Sequence, residues 1–110
     1  MKAHDFIQPD EAVMIIFTRG GRFDVNADHT GATGNWVFDP NRKVDRVIIY
    51  HRNEGLHTNM LYIGSFVEAE RTSENGRYNI VLAHIQYVGQ TDLHWKEFAD
   101  AGQNPIRYLP

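Results

Sequence analysis

Asn75-Gly76 stands between two long runs of β-forming residues, Leu61 to Glu70 and Tyr78 to Val88. Asn-Gly between such runs is the strongest short-range hairpin signal, because both residues accept the positive φ angles that a tight turn demands. The pair fixes an antiparallel hairpin, and the rest of the chain has to pack around it. On simple alternation, Leu61, Ile63, Val67 and Ala69 face one side of the first arm, and Tyr62, Phe66 and Glu68 the other. Gly64 within that arm signals a bulge or a close backbone approach.

The remaining segments read as strands and turns, with one helix. Ala12 to Thr18 is a continuous apolar run with β-branched content that stops at Arg19-Gly20-Gly21, which suits a buried strand. Arg19 to Asn35 is rich in glycine and short polar residues and reads as a long loop, a feature often tied to function. Trp36 to Phe38 is a short strand, Asp39-Pro40-Asn41 a turn, Arg46 to His51 a strand, and Arg52 to Asn59 a polar loop. Thr91 to Ala101 reads as a helix, with Thr91 or Asp92 as its cap and Gly102 just beyond its end. Asn104-Pro105 stops it, and Ile106 to Leu109 adds a last edge strand. Four or five mostly antiparallel strands and one helix predict an α+β fold, a small β-barrel with a C-terminal helix packed on it, as one domain over residues 1–110. A ferredoxin-like sandwich fits less well, because a second strong helix is missing.

Composition excludes several classes. The chain has 110 residues, 42% hydrophobic and 23% charged, which is ordinary for a globular protein. Without cysteine there are no disulfides and no Cys-ligated zinc or iron–sulfur centres. No apolar run approaches the roughly 20 residues of a membrane span. Met1 to Asp5 leads into no apolar signal core, so a cytoplasmic protein without a membrane partner is expected. The net charge of −3 argues against a non-specific grip on a phosphate backbone. The charges are nevertheless uneven: Arg19, Arg22, Arg42, Lys43, Arg46 and Arg52 lie in the first half, whereas Asp92, Glu97 and Asp100 make the helix region acidic.

Gly34-Asn35-Trp36, the apolar strand Arg46 to Tyr50, and the strand Met60 to Val67 interrupted by Gly64 follow one another in an order that resembles the PUA-like superfamily, and within it the YTH and EVE domains. The resemblance covers about a third of the chain. It implies a β-barrel that holds a modified base of RNA or DNA in an aromatic cage. Trp36 is the position that matches the family's Gly-x-Trp cage tryptophan. The chain departs from the pattern elsewhere. Thr18-Arg19-Gly20-Gly21-Arg22 stands where YTH domains carry a Ser/Asn-rich segment. The loop Glu70 to Gly76, where a second cage aromatic is usual, has none, so Trp95, Tyr50 or Tyr62 has to supply the opposite wall.

The candidate ligand-binding residues are therefore Trp36 and its neighbour Asn35, Tyr50, Arg52, Trp95, Arg19 and Arg22. Tyr50 and Arg52 share one side of a strand and would present a hydroxyl and a cation together. Arg19 and Arg22 flank the glycine pair, where backbone amides can form an anion nest. The expected partner is nucleic acid carrying a modified base, or a free nucleotide, with an effector protein as a possible second partner; no cofactor and no metal are expected. The six histidines lack a His-Glu-x-x-His motif, and His84, inside an apolar strand, reads as a core residue. The sequence has no Gly-x-Ser-x-Gly elbow and no P-loop, so the reading leans away from an enzyme. Two alternatives stand beside the binding module. One is a small amidohydrolase-like enzyme acting on a modified nucleoside, as in some ASCH domains, though Lys43 and Lys96 match no pattern of that family. The other is a protein-interaction subunit using the acidic helix face.

Overall fold

The computed structural model describes residues 2–19, 22–52, 58–99 and 106–109. Its strands are β1 (Val13–Arg19), β2 (Phe23–Val25), β3 (Gly31–Val37), β4 (Arg46–Arg52), β5 (Asn59–Arg71), β6 (Arg77–Thr91) and β7 (Ile106–Leu109). They form one sheet in the order β2-β3-β6-β5-β4-β1-β7. A 3-10 turn (Ala3–Phe6) and a short helix, α1 (Trp95–Ala99), complete the described elements. The protein is thus mostly β, with antiparallel ladders everywhere except between β1 and β4, which run parallel.

The β5–β6 hairpin is the spine. Gly76 takes φ 77° at its turn, whereas Asn75 does not take a positive φ, so the glycine alone supplies the left-handed residue. The outer edge of β5 is covered by β4 only over Asn59 to Ser65, and that of β6 by β3 only over Arg77 to Leu82. Each half of the hairpin therefore carries different neighbours, and the sheet curls. Phe23 of β2 reaches Tyr62 of β5 and His51 of β4, with ring centroids 5.1 and 6.0 Å apart. Phe38, just past β3, meets Phe66 at 5.9 Å and Tyr108 of β7 at 6.4 Å. Among the described residues no ladder joins β2 to β7, so the sheet is not closed into a barrel.

Bulges set the curvature. The β5–β6 register shifts between Leu61 and Tyr62, between Ile63 and Ser65, and between Phe66 and Glu68. The second shift places the extra residue in β6, where His84 adopts φ 53°, opposite Gly64. A Cβ at Gly64 would lie 3.1 Å from Ile85 Cγ1 and 3.3 Å from the Ala83 carbonyl oxygen, so glycine lets the bulge approach. The third shift makes Val67 the extra residue of β5, and it turns out to solvent. This corrects the simple alternation: Ala69 joins Tyr62 and Phe66 on the inner face, while Leu61 and Ile63 stay on the outer one. The bulge likewise carries His84 out of the core, where its sequence setting had put it, and leaves it exposed.

The sheet has two packed faces. The outer one gathers Val13, Ile15, Ile48, Tyr50 and Leu61 under Ala3, Trp95, Phe98 and Ala99. The inner one, inside the curl, gathers Met14, Ile16, Trp36, Phe38, Val47, Ile49, Ile80, Leu82, Ile85 and Ile106. Arg46 ties the chain before β1 to the sheet, its guanidinium pairing with Glu11 at 2.6 Å and donating to the Phe6 carbonyl at 2.7 Å.

Two segments differ from expectation. The long loop expected from Arg19 to Asn35 contains β2 and most of β3, joined by a tight turn in which Asn26 N–H donates to the Thr30 carbonyl at 2.7 Å. Small residues and glycines hid these strands, because their side chains carry little apolar pattern. The helix expected from Thr91 begins only at Trp95: β6 runs on to Thr91, and Phe98 N–H donates to the His94 carbonyl, 2.9 Å away. Thr91 still serves a turn, accepting the Leu93 N–H on its hydroxyl at 3.1 Å. Gly20, Gly21, Gly102, Asn104 and Pro105 lie outside the described residues.

Candidate ligand-binding site

The curl divides the aromatic residues singled out from sequence. Trp36 lies on β3 in the inner cluster, 6% exposed, with its ring N–H donating to Thr33 Oγ1 at 3.0 Å. The Thr33 hydroxyl in turn donates to the Arg22 carbonyl, 2.6 Å away. The Arg22 guanidinium lies over the indole, 5.3 Å from its centroid, a cation–π contact. The indole is thus packed beneath and roofed above. A Cβ at the neighbouring Gly34 would meet the Asn79 side chain. Asn35 turns the other way, to the hairpin tip. It donates from Nδ2 to Glu74 Oε1 at 3.1 Å, and its carbonyl accepts from Arg77 at 3.2 Å.

Tyr50 and Trp95 belong to the other face. Tyr50 is 3% exposed, stacks on Phe17 at 5.5 Å and meets Trp95 and Phe98 edge-on or tilted at 5.5 and 5.4 Å. Its hydroxyl donates to the Leu93 carbonyl at 2.7 Å, which fastens the segment leading into α1. Burial raises the Tyr50 pKa, and the nearby Arg52 charge opposes the rise. A cage with Trp36 as one wall and Tyr50 or Trp95 as the other is therefore ruled out by the alternation of β1 and β4: the sheet itself stands between them. Tyr50 and Arg52 share one side of β4, but they do not present a hydroxyl and a cation together: Tyr50 is buried with its hydroxyl on the Leu93 carbonyl, and Arg52 is exposed at the strand end.

A different aromatic cluster sits at the open end of the inner face. His51, Phe23, Tyr62 and Tyr87 form a chain of rings, with successive centroids 6.0, 5.1 and 5.4 Å apart. Tyr87 is 50% exposed and Val25 45%. Together with His29, Ile85 and Gln86, Val25 and the two tyrosines line a groove of about 420 Å³. The β2–β3 turn forms its far wall and is stitched to the β6 bulge. Ile85 N–H donates to the His29 carbonyl at 2.9 Å, and His29 Nδ1–H donates to the Ile85 carbonyl at 3.2 Å. Burial, followed by the neighbouring Tyr87, raises the Tyr62 pKa, which keeps the Tyr62 phenol neutral at physiological pH.

His51 closes the inner end of the ring chain. Its Nδ1 shares a 2.6 Å hydrogen bond with the hydroxyl of Thr18, a fully buried residue that fixes the ring plane. Burial lowers the His51 pKa, which keeps the imidazole neutral. Asp28, at the hollow beside the groove that Asp28, His29 and His84 line, is held ionised first by the Thr30 hydroxyl and then by its N–H.

The other hollows suit a ring less well. The one at the hairpin tip, about 260 Å³, is lined by Arg71 through Arg77, without an aromatic side chain. Among the described residues no cluster of three or more His, Asp or Glu side chains gathers to hold a metal ion. No described helix is long and apolar enough to cross a membrane. No family model matches the chain, and neither a curated protein nor a solved structure shows detectable similarity to it.

Proposed function

We propose that the protein is a non-enzymatic binding module that seats a planar ring, a nucleobase free or extruded from a strand, on Tyr87 in the groove between Tyr62 and Val25. One observation carries this reading: Tyr87 is half exposed yet backed by Tyr62, itself packed on Phe23, in a concave, mostly apolar hollow. A half-exposed aromatic in a cavity is a stacking platform that needs no rearrangement, and each stacked base is worth about 1–3 kcal/mol. Gln86 and His29 flank the ring position and supply the polar edges that select one heterocycle over another. The groove residues carry no formal charge with histidine neutral, which fits a net charge of −3: recognition acts on the ring rather than on a run of phosphates.

The curled sheet and the strand sequence over residues 34–69 support an open, PUA-like half-barrel as the framework. On this reading the ring-binding role passes from Trp36 to the tyrosine pair, and Trp36 becomes the pillar beneath Arg22. Calorimetric titration with a panel of nucleobases, nucleosides and short oligonucleotides tests it. Saturable binding by one of them, lost in Tyr87→Ala and kept in Trp36→Phe, is the expected result. Binding that survives Tyr87→Ala but disappears in a folded Trp36→Phe would return the site to the tryptophan.

A further inference from the structure

The strand register lines up a polar row across one end of the outer face. Arg19 of β1 lies opposite Arg52 of β4, Arg52 opposite Asn59 of β5, and Asn59 opposite Thr91 of β6. Arg19, Arg52 and Asn59 each lie two residues along their strands from Phe17, Tyr50 and Leu61 of the outer cluster, so they share that face. Arg19 and Arg52 are exposed, and among the described residues neither has an ion-pair or hydrogen-bond partner. The other ion pairs show what the chain does elsewhere: Arg46 holds Glu11, Arg77 holds Glu74 and Lys43 approaches Asp45.

Like charges directly opposite each other on neighbouring strands repel, and strands stand only about 4.8 Å apart. A row that sets two guanidinium groups side by side, with a carboxamide next and no carboxylate between, is matched by an anion that all three can donate to. Asn59 has one weak tie, Nδ2 to the Thr91 carbonyl at 3.4 Å, which a better acceptor can replace. The Thr91 hydroxyl is already accepting from Leu93 N–H.

We propose that Arg19, Arg52 and Asn59 form an oxyanion site that takes a phosphate group. The two guanidinium forks donate to separate oxygens, and the Asn59 amide donates to a third. This site is on the face opposite the tyrosine groove, so it stands whether or not a ring binds there. Inorganic phosphate and the phosphate of a nucleotide present the same chemistry to it.

The test uses the intact chain and inorganic phosphate, read by calorimetric titration and by thermal unfolding in phosphate against chloride at equal ionic strength. Phosphate stabilises most proteins non-specifically by exclusion from their surfaces, so the informative quantity is the difference between wild type and variant. Wild type is expected to gain more in melting temperature from phosphate than Arg19→Gln or Arg52→Gln, and each variant to bind phosphate at least tenfold more weakly. In chloride both variants are expected to melt at or above wild type, since the repulsion is gone. Arg52→Lys keeps the charge but loses the fork, and should fall between wild type and Arg52→Gln. A nucleoside monophosphate run beside inorganic phosphate separates the sources: equal affinity points to the free ion, tighter binding to a nucleotide. Equal phosphate gains in wild type and both glutamine variants, or variants that melt well below wild type in chloride, would overturn the site.

Discussion

The two faces of the sheet are sealed in different ways. On the outer face, α1 and the Ala3–Phe6 turn lie over Val13, Ile15, Ile48 and Tyr50, and Phe17, Tyr50, Trp95 and Phe98 interlock ring against ring. On the inner face the sheet covers itself by curling. That cover is tight at one end, where Phe38 meets Phe66, Tyr78 and Tyr108, and open at the other, where Tyr62 and Tyr87 meet solvent. A helix laid on a face leaves little concavity, whereas a curl that stops short of closing leaves a groove along the unclosed seam. The place to look for a ligand is set by how a face is closed, and only secondarily by which aromatic residue is largest.

The sharpest way to break this comparison is to remove one tryptophan from each face. Both indoles are 6% exposed, so Trp36→Ala and Trp95→Ala should each cost about 3–5 kcal/mol, seen as matching losses in urea unfolding midpoint. If Trp36→Ala cost little while Trp95→Ala unfolded the protein, the inner face would be a binding surface and not a core. A finer probe of the outer seal is Tyr50→Phe. It keeps the ring contacts and strands the Leu93 carbonyl without its 2.7 Å donor, which should cost about 1–3 kcal/mol. Hydrogen exchange should then quicken in α1 before it does in β6.

Much of the frame was legible from residue type alone. Asn75-Gly76 gave the hairpin and Gly64 the bulge, because each answers a local backbone demand that few other residues meet. The edge strand Ile106–Leu109 and a helix through Trp95 are likewise legible, although the helix starts four residues later than Thr91 suggests. The parallel pairing of β1 with β4 was not, since nothing local distinguishes it from an antiparallel neighbour. The separation of the rings is hidden from the sequence for a related reason. The resemblance sets Tyr50 or Trp95 opposite Trp36, but strand alternation and the curl send them to the other face. A usable signal was present in the hairpin. Counting outward from Arg71 opposite Tyr78, residue for residue, brings Tyr62 opposite Tyr87, because the bulge at Val67 and the one at His84 lie in different strands and cancel. Two tyrosines facing each other far from the turn, beside a histidine-bearing loop, mark the open end of the inner face.

Tyr87→Ala separates the groove from the core. Half of its surface is already in water, and the loss of its ring contact with Tyr62 should cost about 0.5–1.5 kcal/mol, well below either tryptophan. Circular dichroism should be unchanged, while ring binding in the groove is lost. A destabilisation as large as that of Trp36→Ala would mean that the seam is closed in solution and that the groove does not exist there.

The smallest effect expected is a pH dependence from His51, whose place between Thr18 and Phe23 marks where the open end meets the core. Burial sets its folded pKa below the ordinary 6.5, so the unfolded chain takes up the proton first as pH falls. Stability owed to the neutral ring is therefore complete above 6.5 and declines as the pH drops through that value towards the lowered folded pKa. The chain carries five other histidines, so the measurement is a difference: urea midpoints of wild type and His51→Gln followed across that window. Glutamine can still bond Thr18 but cannot be protonated, so the variant's midpoint should fall less steeply with decreasing pH. Parallel curves would show that His51 is solvated in the folded state and that the groove reaches further into the sheet than Phe23. A steeper wild-type curve would place its inner limit at the imidazole, with Tyr87 and Tyr62 left as the tyrosine pair that a ligand meets beside His29.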